Sequence, residues 1–311
     1  MMPPKISVIL PTYNRRQILP RTIASVFAQD EKNFELIIVD DCSTDDTATY
    51  LASLSDRRIR VLRPPNNLGT AGARNLGLES AQADIVALLD DDDVYLKHRL
   101  SAPLAVFAHE AEVVATLSSS VKFDLKRTQI ARMPELTLVK AVFEWALICD
   151  LIGVAGTSIT VRRQIALDIG GFCQGMKWID DREFLIRASR RGNGHLIAES
   201  LWEKHWSDGG VSNQWEQAGL SLLTYVAARP EFVGRYRKVG AYLATKILVS
   251  DLRHGLFGAL TRDLRDFMSV GLIDGNILRM WREHREVSSY RRATSKHDAL
   301  ATLTQAPEEW C

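Results

Sequence analysis

The stretch Ile85–Asp93, IVALLDDDD, runs five apolar residues directly into four aspartates. A short, unbroken apolar run closed by polar residues reads as a strand buried on both faces, as in a parallel sheet. With the residues just upstream, that strand is expected over Ala83–Leu89. Three earlier runs share its character: Ile6–Leu10, Phe34–Val39 and Ile59–Leu62. Each leads through a turn-forming or polar loop into a helical pattern, around Ile18–Phe27, Asp45–Leu54 and Thr70–Leu78. Repetition of strand, loop and helix predicts a doubly wound α/β unit, whose ligands bind beyond the carboxyl ends of the strands.

Past Phe107 the alternation loosens. Glu112–Ser119 and Ser158–Val161 read as strands, and Val139–Cys149 as a helix. Asp180–Arg191 is a further helix with Phe184, Leu185 and Ala188 on one face; from Leu220 the chain is mostly helical and moderately basic. The organisation expected is a first half over 1–115, a second half over 116–215 of the same domain, and a helical extension over 216–311.

Composition narrows the function. With 46% hydrophobic and 25% charged residues, the 311-residue chain folds rather than remaining disordered. A net charge of +1 supplies no field for nucleic acid. Cys42, Cys149, Cys173 and Cys311 are too scattered for a zinc or dithiol site, so a reducing compartment is expected. Pro11 ends the first apolar run too early for a signal-peptide core, and Lys246, Asp251, Arg253 and His254 break the stretch 241–258. The expectation is a cytoplasmic protein. Arg279, Trp281, Arg282, Arg285, Tyr290, Arg291 and Arg292 could rest on an anionic membrane surface or a partner, which extends that expectation to peripheral contact on the inner membrane face.

The polar clusters all fall at strand ends. Pro11, Thr12 and Tyr13 follow the first strand, where an aromatic ring could face a base, or pack as an ordinary turn. Asp40–Thr47 follows the second strand; Asp41 could accept the imide N–H of uracil, while Ser43, Thr44 and Asp45 suit helix capping. In NLGTAGARNLG, Asn67–Gly77, small residues permit close backbone approach and Arg74 could reach a base or phosphate. Asp90–Asp93 crowd one strand end, and like charges so close repel unless solvent or a cation intervenes. Mg²⁺ or Mn²⁺ answers that need, since it takes one or two carboxylates and completes its shell with water and substrate phosphates.

Together these segments resemble the family-two inverting glycosyltransferases of GT-A fold. SVILPTYNR at Ser7–Arg15, ELIIVDDCSTDDT at Glu35–Thr47, NLGTAGARNLG and ALLDDDD at Ala87–Asp93 carry the resemblance. It continues through ITVRR at Ile159–Arg163, GGF at Gly170–Phe172 and WIDDREFLIR at Trp178–Arg187, about two thirds of the chain. The resemblance implies a Rossmann-like mixed sheet flanked by helices, with a nucleotide-sugar-binding half over 1–115 and an acceptor-binding half carrying the catalytic base over 116–215. It places Pro11, Thr12, Tyr13, Asp41, Arg74, Asp90 and Asp91 around the nucleotide, Tyr13 beside the uracil and Asp41 on its imide. Asp92 would hold the metal, with His205 reaching metal or diphosphate. Asp181 would be the base, preceded by Asp180 where the family usually has glutamate; Trp178 and Trp206 could line the sugar site.

The activity so implied is transfer of a sugar, with inversion, from a nucleoside-diphosphate sugar, UDP-linked by preference. The acceptor would be a hydroxyl of a carbohydrate, a lipid-linked glycan or a small molecule. Two rivals are a sugar-phosphate nucleotidyltransferase and a non-catalytic nucleotide- or carbohydrate-binding subunit. The first should carry a glycine-rich basic loop after strand one, whereas Pro11–Arg16 contains no glycine.

Overall fold

The computed structural model describes residues 3–124, 127–176, 178–205, 217–227, 229, 234, 236–274 and 276–294. In chain order the first half contains β1 (Ile6–Thr12), α1 (Leu19–Phe27), β2 (Phe34–Asp40), α2 (Thr47–Ala52), β3 (Ile59–Leu62), α3 (Gly69–Ser80) and β4 (Ile85–Leu88). Then come β5 (Val94–Tyr95), α4 (Ser101–His109), β6 (Val113–Asp124), β7 (Arg127–Ala131), β8 (Leu136–Leu138) and α5 (Lys140–Ile148). β9 (Thr160–Arg162), α6 (Arg163–Asp168), α7 (Asp180–Ser189) and β10 (Asn193–Lys204) complete the sheet-bearing part. Four helices follow among the described residues: α8 (Ala218–Ala227), α9 (Arg237–Arg253), α10 (Phe257–Ser269) and α11 (Ile277–Thr294).

The described strands form one mixed sheet in the order β3-β2-β1-β4-β9-β6-β10-β5, with β7 beside β6 and β8 beside β10. β3, β2, β1 and β4 are mutually parallel, and every residue of β1 and β2 is buried, as their unbroken apolar sequences require. β9 lies antiparallel between β4 and β6, so the sheet changes direction immediately beside the aspartate turn. Pro11 is tolerated inside β1 because the β4 ladder stops at Ile9–Leu88, and a residue without an N–H costs nothing on a side with no partner strand.

The helical extension is not a loose appendage. Leu222, Tyr225, Val226, Val239, Tyr242 and Ile247 belong to the same buried apolar cluster as Leu147, Ile148, Phe184 and Leu185 of α5 and α7. A buried ion pair reinforces the junction: Arg229, just after α8, donates to Glu183 of α7 at 3.2 Å, and Arg187 holds the same carboxylate. No helix among the described residues is long and apolar enough to cross a membrane.

Candidate functional site

Three loops meet at the carboxyl ends of β1, β2 and β4. Asn14, left-handed at φ 56°, stitches the first two: its N–H donates to Ser43 Oγ at 2.9 Å, and its Oδ1 accepts the N–H of Thr44 at 2.7 Å. Pro11 and Thr12 are buried at the end of β1, whereas the Tyr13 ring is 46% exposed, open to stack on a planar ligand. Asp41 is buried, and its carboxylate accepts the N–H groups of Leu68 at 2.7 Å and Gly69 at 2.8 Å. It therefore caps the amino end of α3 from a different loop, compensating the lack of a side-chain cap at Leu68. The sequence reading did not foresee that duty.

Arg74 occupies the middle of the site. On α3, 3% exposed, it donates through Nη1 to Asp180 Oδ2 at 2.9 Å and Asp181 Oδ1 at 2.6 Å, and through Nη2 to Asp90 Oδ1 at 2.7 Å. Burial opposes the guanidinium charge, but Asp181, Asp90 and Asp180 outweigh it and raise its pKa. Gly156 lies against this fork: a Cβ there would overlap the guanidinium and come within 3.0 Å of Asp90 Oδ1, so only glycine fits. Expected near the nucleotide, Arg74 is thus found enclosed by three carboxylates.

Asp180 and Asp181 open α7, whose preceding residue Ile179 is left-handed at φ 61°. Burial, then the neighbouring Asp181 charge, push Asp180 up to about 7. Burial also raises Asp181, opposed by Arg74. Carboxylates tuned upward in this way suit proton abstraction near neutrality.

The four aspartates after β4 have different surroundings. Asp90 pairs with Arg74, and its N–H donates to Thr157 Oγ1 at 3.1 Å. Burial pushes Asp91 up to about 7, against the attraction of Arg15 at 3.4 Å. Asp92 is half-buried, and its carbonyl accepts from Arg21 at 2.9 Å. Asp93 points inward, accepting the Thr157 hydroxyl at 2.6 Å and the His205 N–H at 3.4 Å.

Thr157 is fixed by Arg99, which is fully buried and donates to the carbonyls of Thr157 and Ile159 and to Thr160 Oγ1. Neither Arg99 nor Thr157 was singled out in the sequence, where nothing marks a buried arginine whose partners are backbone carbonyls. Lys204, at the end of β10, was missed too; burial opposes its charge, and Asp93, Asp90, Asp92 and Asp181 restore it.

His205 stands beside this turn, but its ring is occupied. Nδ1 lies 3.3 Å from Arg21 Nη1 and Nε2 lies 3.1 Å from Glu203. Because Arg21 can only donate, Nδ1 accepts and Nε2–H donates to Glu203. Trp178 packs partly buried against the main apolar cluster. Trp206 lies outside the described residues, as do the side chains of Tyr290, Arg291 and Arg292.

Among the described residues no three His, Cys, Asp or Glu side chains converge as a metal cage. The partly exposed Asp91 and Asp92 carboxylates nevertheless fit an ion that brings phosphate and water with it. Part of the charge balance expected of a metal is already built in: Arg74 meets Asp90, Arg15 meets Asp91 and Lys204 faces the group as a whole.

Comparison with known proteins agrees with the fold. S. aureus TarS 1–349, crystallised with UDP-GlcNAc, superposes with a TM-score of 0.60 at 21% identity, covering 96% of this chain and 84% of that one; the likeness is one of fold. The succinoglycan biosynthesis protein ExoO of Rhizobium meliloti (strain 1021) is 32% identical over 143 residues, which are 43% of this chain and 41% of ExoO. The Escherichia coli UDP-Glc:alpha-D-GlcNAc-diphosphoundecaprenol beta-1,3-glucosyltransferase WfgD is 36% identical over 101 residues, 32% of this chain and 40% of WfgD. The chain thus spans about two fifths of the length of these two relatives. The Glycosyl transferase family 2 model matches residues 7–169, which hold β1 to β9 with the loops after β1 and β2 and the aspartate turn, and the chain belongs to that family.

Proposed function

We propose that the protein transfers a sugar from a nucleoside-diphosphate sugar to an acceptor hydroxyl with inversion at the anomeric carbon. One observation carries the reading: a single guanidinium, Arg74, joins Asp90 of the donor-side turn to Asp180 and Asp181 at the head of α7. A donor-binding acid and a candidate base therefore share one small volume, as single displacement needs. Arg74 takes Asp181 through Oδ1, which leaves the Oδ2 lone pairs for an acceptor hydroxyl. Asp181 removes that proton while the oxygen attacks the anomeric carbon, and the sugar–phosphate bond breaks towards the diphosphate. Burial holds both carboxyls above their ordinary range, with Asp181 adding to the rise at Asp180, Asp90 adding to it at Asp181, and Arg74 opposing it at each.

Asp92, with Asp91, would hold Mn²⁺ or Mg²⁺. When bound, the ion offsets charge on the departing diphosphate. Uridine is the favoured base because exposed Tyr13 and buried Asp41 stand together at the first two loops, and because TarS was crystallised with UDP-GlcNAc and WfgD is named for UDP-Glc. The acceptor proposed is a carbohydrate or lipid-linked glycan, met at the inner face of the membrane by a cytoplasmic protein. Support for surface contact comes from α10, whose Phe257, Leu264 and Met268 are exposed apolar residues while Ala259 and Phe267 are buried, with the exposed Arg265 on the same helix paired to Asp266.

The test is a panel of nucleotide sugars scored for nucleoside diphosphate release with Mn²⁺ or Mg²⁺. Release from a UDP-sugar, abolished by chelation and by Asp92→Ala, is the expected result. Absence of release from every donor would favour the binding-subunit reading; pyrophosphate release from UTP and a sugar phosphate would favour the nucleotidyltransferase.

A further inference from the structure

The end of β10 carries a feature that the mechanism above does not use. β10 and β6 run parallel there, and Lys204 is the register partner of Lys122. Paired residues on neighbouring strands project from the same face of a sheet, so two ammonium groups leave it side by side. Irregularities in the pairing between Ile197 and Ser200 and between Ser200 and Trp202 bend β10 just before this point, the kind of local kink that re-aims side chains near a site. The Lys204 charge is felt at both neighbours: Asp93, Asp90, Asp92 and Asp181 lie within its field on one side and Lys122 on the other.

Two like charges on adjacent strands repel, and the acids satisfy Lys204 better than they satisfy exposed Lys122. An anion entering between the acid turn and the strand ends would be shared by both lysines. Arg74 is unsuited to that duty, since its fork is already committed to three carboxylates.

We propose that Lys204, assisted by Lys122, is the phosphate-binding element of the site, engaging the diphosphate beside the aspartate turn. The proposal rests on the glycosyltransferase reading for the identity of the diphosphate. As the anomeric C–O bond breaks, its electron pair passes to the β-phosphate oxygen, and the role assigned to the Lys204 ammonium is to offset that added negative charge. The consequence is that diphosphate binding has a component independent of any divalent ion. A second source of the same chemistry is an acceptor carrying its own diphosphate.

Calorimetry in EDTA with inorganic pyrophosphate, UDP and uridine as titrants tests the idea. Wild-type protein is expected to bind pyrophosphate and UDP without metal. Lys204→Met should weaken both by about ten-fold or more and leave uridine unchanged, with Lys204→Arg restoring most of the loss. Lys122→Met should show a smaller loss of the same kind. A rise in donor KM in Lys204→Met assigns the pair to the donor, whereas a rise confined to a diphosphate-bearing acceptor assigns it to the acceptor.

Wild-type protein that takes up no pyrophosphate, or a folded Lys204→Met variant that binds it equally well, overturns the proposal, even if UDP-sugar turnover persists. Lys204-dependent pyrophosphate binding in a protein that neither binds UDP nor cleaves any nucleotide sugar would support the lysine pair and overturn the glycosyltransferase reading.

Discussion

Arg74 and Asp181 stand 107 residues apart in sequence and 2.6 Å apart in space. That ion pair joins the α3 side of the sheet to the head of α7, and makes the geometry of the candidate base depend on an arginine that is itself shut away from solvent.

Replacing Asp181 with Asn keeps an oxygen for the Arg74 hydrogen bond but removes the base. Transfer should fall by about 10²–10⁴-fold while UDP affinity stays within a few-fold of wild type. Comparing kcat with calorimetric UDP binding decides it: near-normal turnover in Asp181→Asn refutes the assignment. Asp180→Asn should lower transfer less.

Arg74→Met leaves three clustered acids without their shared cation. Loss of one partner from a buried ionic group costs about 3–5 kcal/mol, and urea unfolding at pH 7.5 should show a deficit of that order. Lowering the pH towards 5 favours protonation of Asp180 and Asp181, which burial raises, so the deficit should shrink. A pH-independent deficit would mean that lost packing against Phe172, over which the guanidinium lies at 5.1 Å, dominates instead.

Acid should at first stabilise the protein. Asp91 and Asp180 titrate at about 7 when folded, against a reference of 3.8. Between those values the folded chain holds more protons than the unfolded one, so stability falls as pH rises from 4 to 7 and levels off above. Asp251, pushed up by burial and by Asp263 to about 6, acts in the same direction. The melting temperature should therefore be higher at pH 5.5 than at pH 7.5, by at least about 2 °C. Asp91→Asn should raise the value at pH 7.5 and narrow the gap; a melting temperature that climbs with pH over this range contradicts the assignment.

Phe257→Asp, combined with Leu264→Asp, should reduce co-sedimentation with anionic vesicles severalfold without changing hydrolysis of a soluble donor. High salt should weaken the wild-type interaction only in part, because apolar contact adds to the electrostatic attraction. Equal sedimentation of wild type and variant would remove α10 from the membrane face.

Much of the donor half could be read in advance because each strand there is a separate apolar run. The expected Phe34–Val39 and Ile59–Leu62 became Phe34–Asp40 and Ile59–Leu62. The helix begun at Asp180 also matched, ending at Ser189. β10 escaped notice although it pairs with β5, β6 and β8, because His195, Glu199, Glu203 and Lys204 interrupt its apolar pattern and bulges break its period. Local patterning could not reveal contacts made across the fold: Asp41 capping α3, or Arg99 steadying Thr157 beneath the aspartates.

The bond between Glu183 and Arg229 bears on how such chains can be recombined. A chimera that exchanged the terminal helices of two relatives would transplant one half of a desolvated salt link and sever a shared apolar interior. Such an exchange demands a matched change on α7, two residues along from the candidate base.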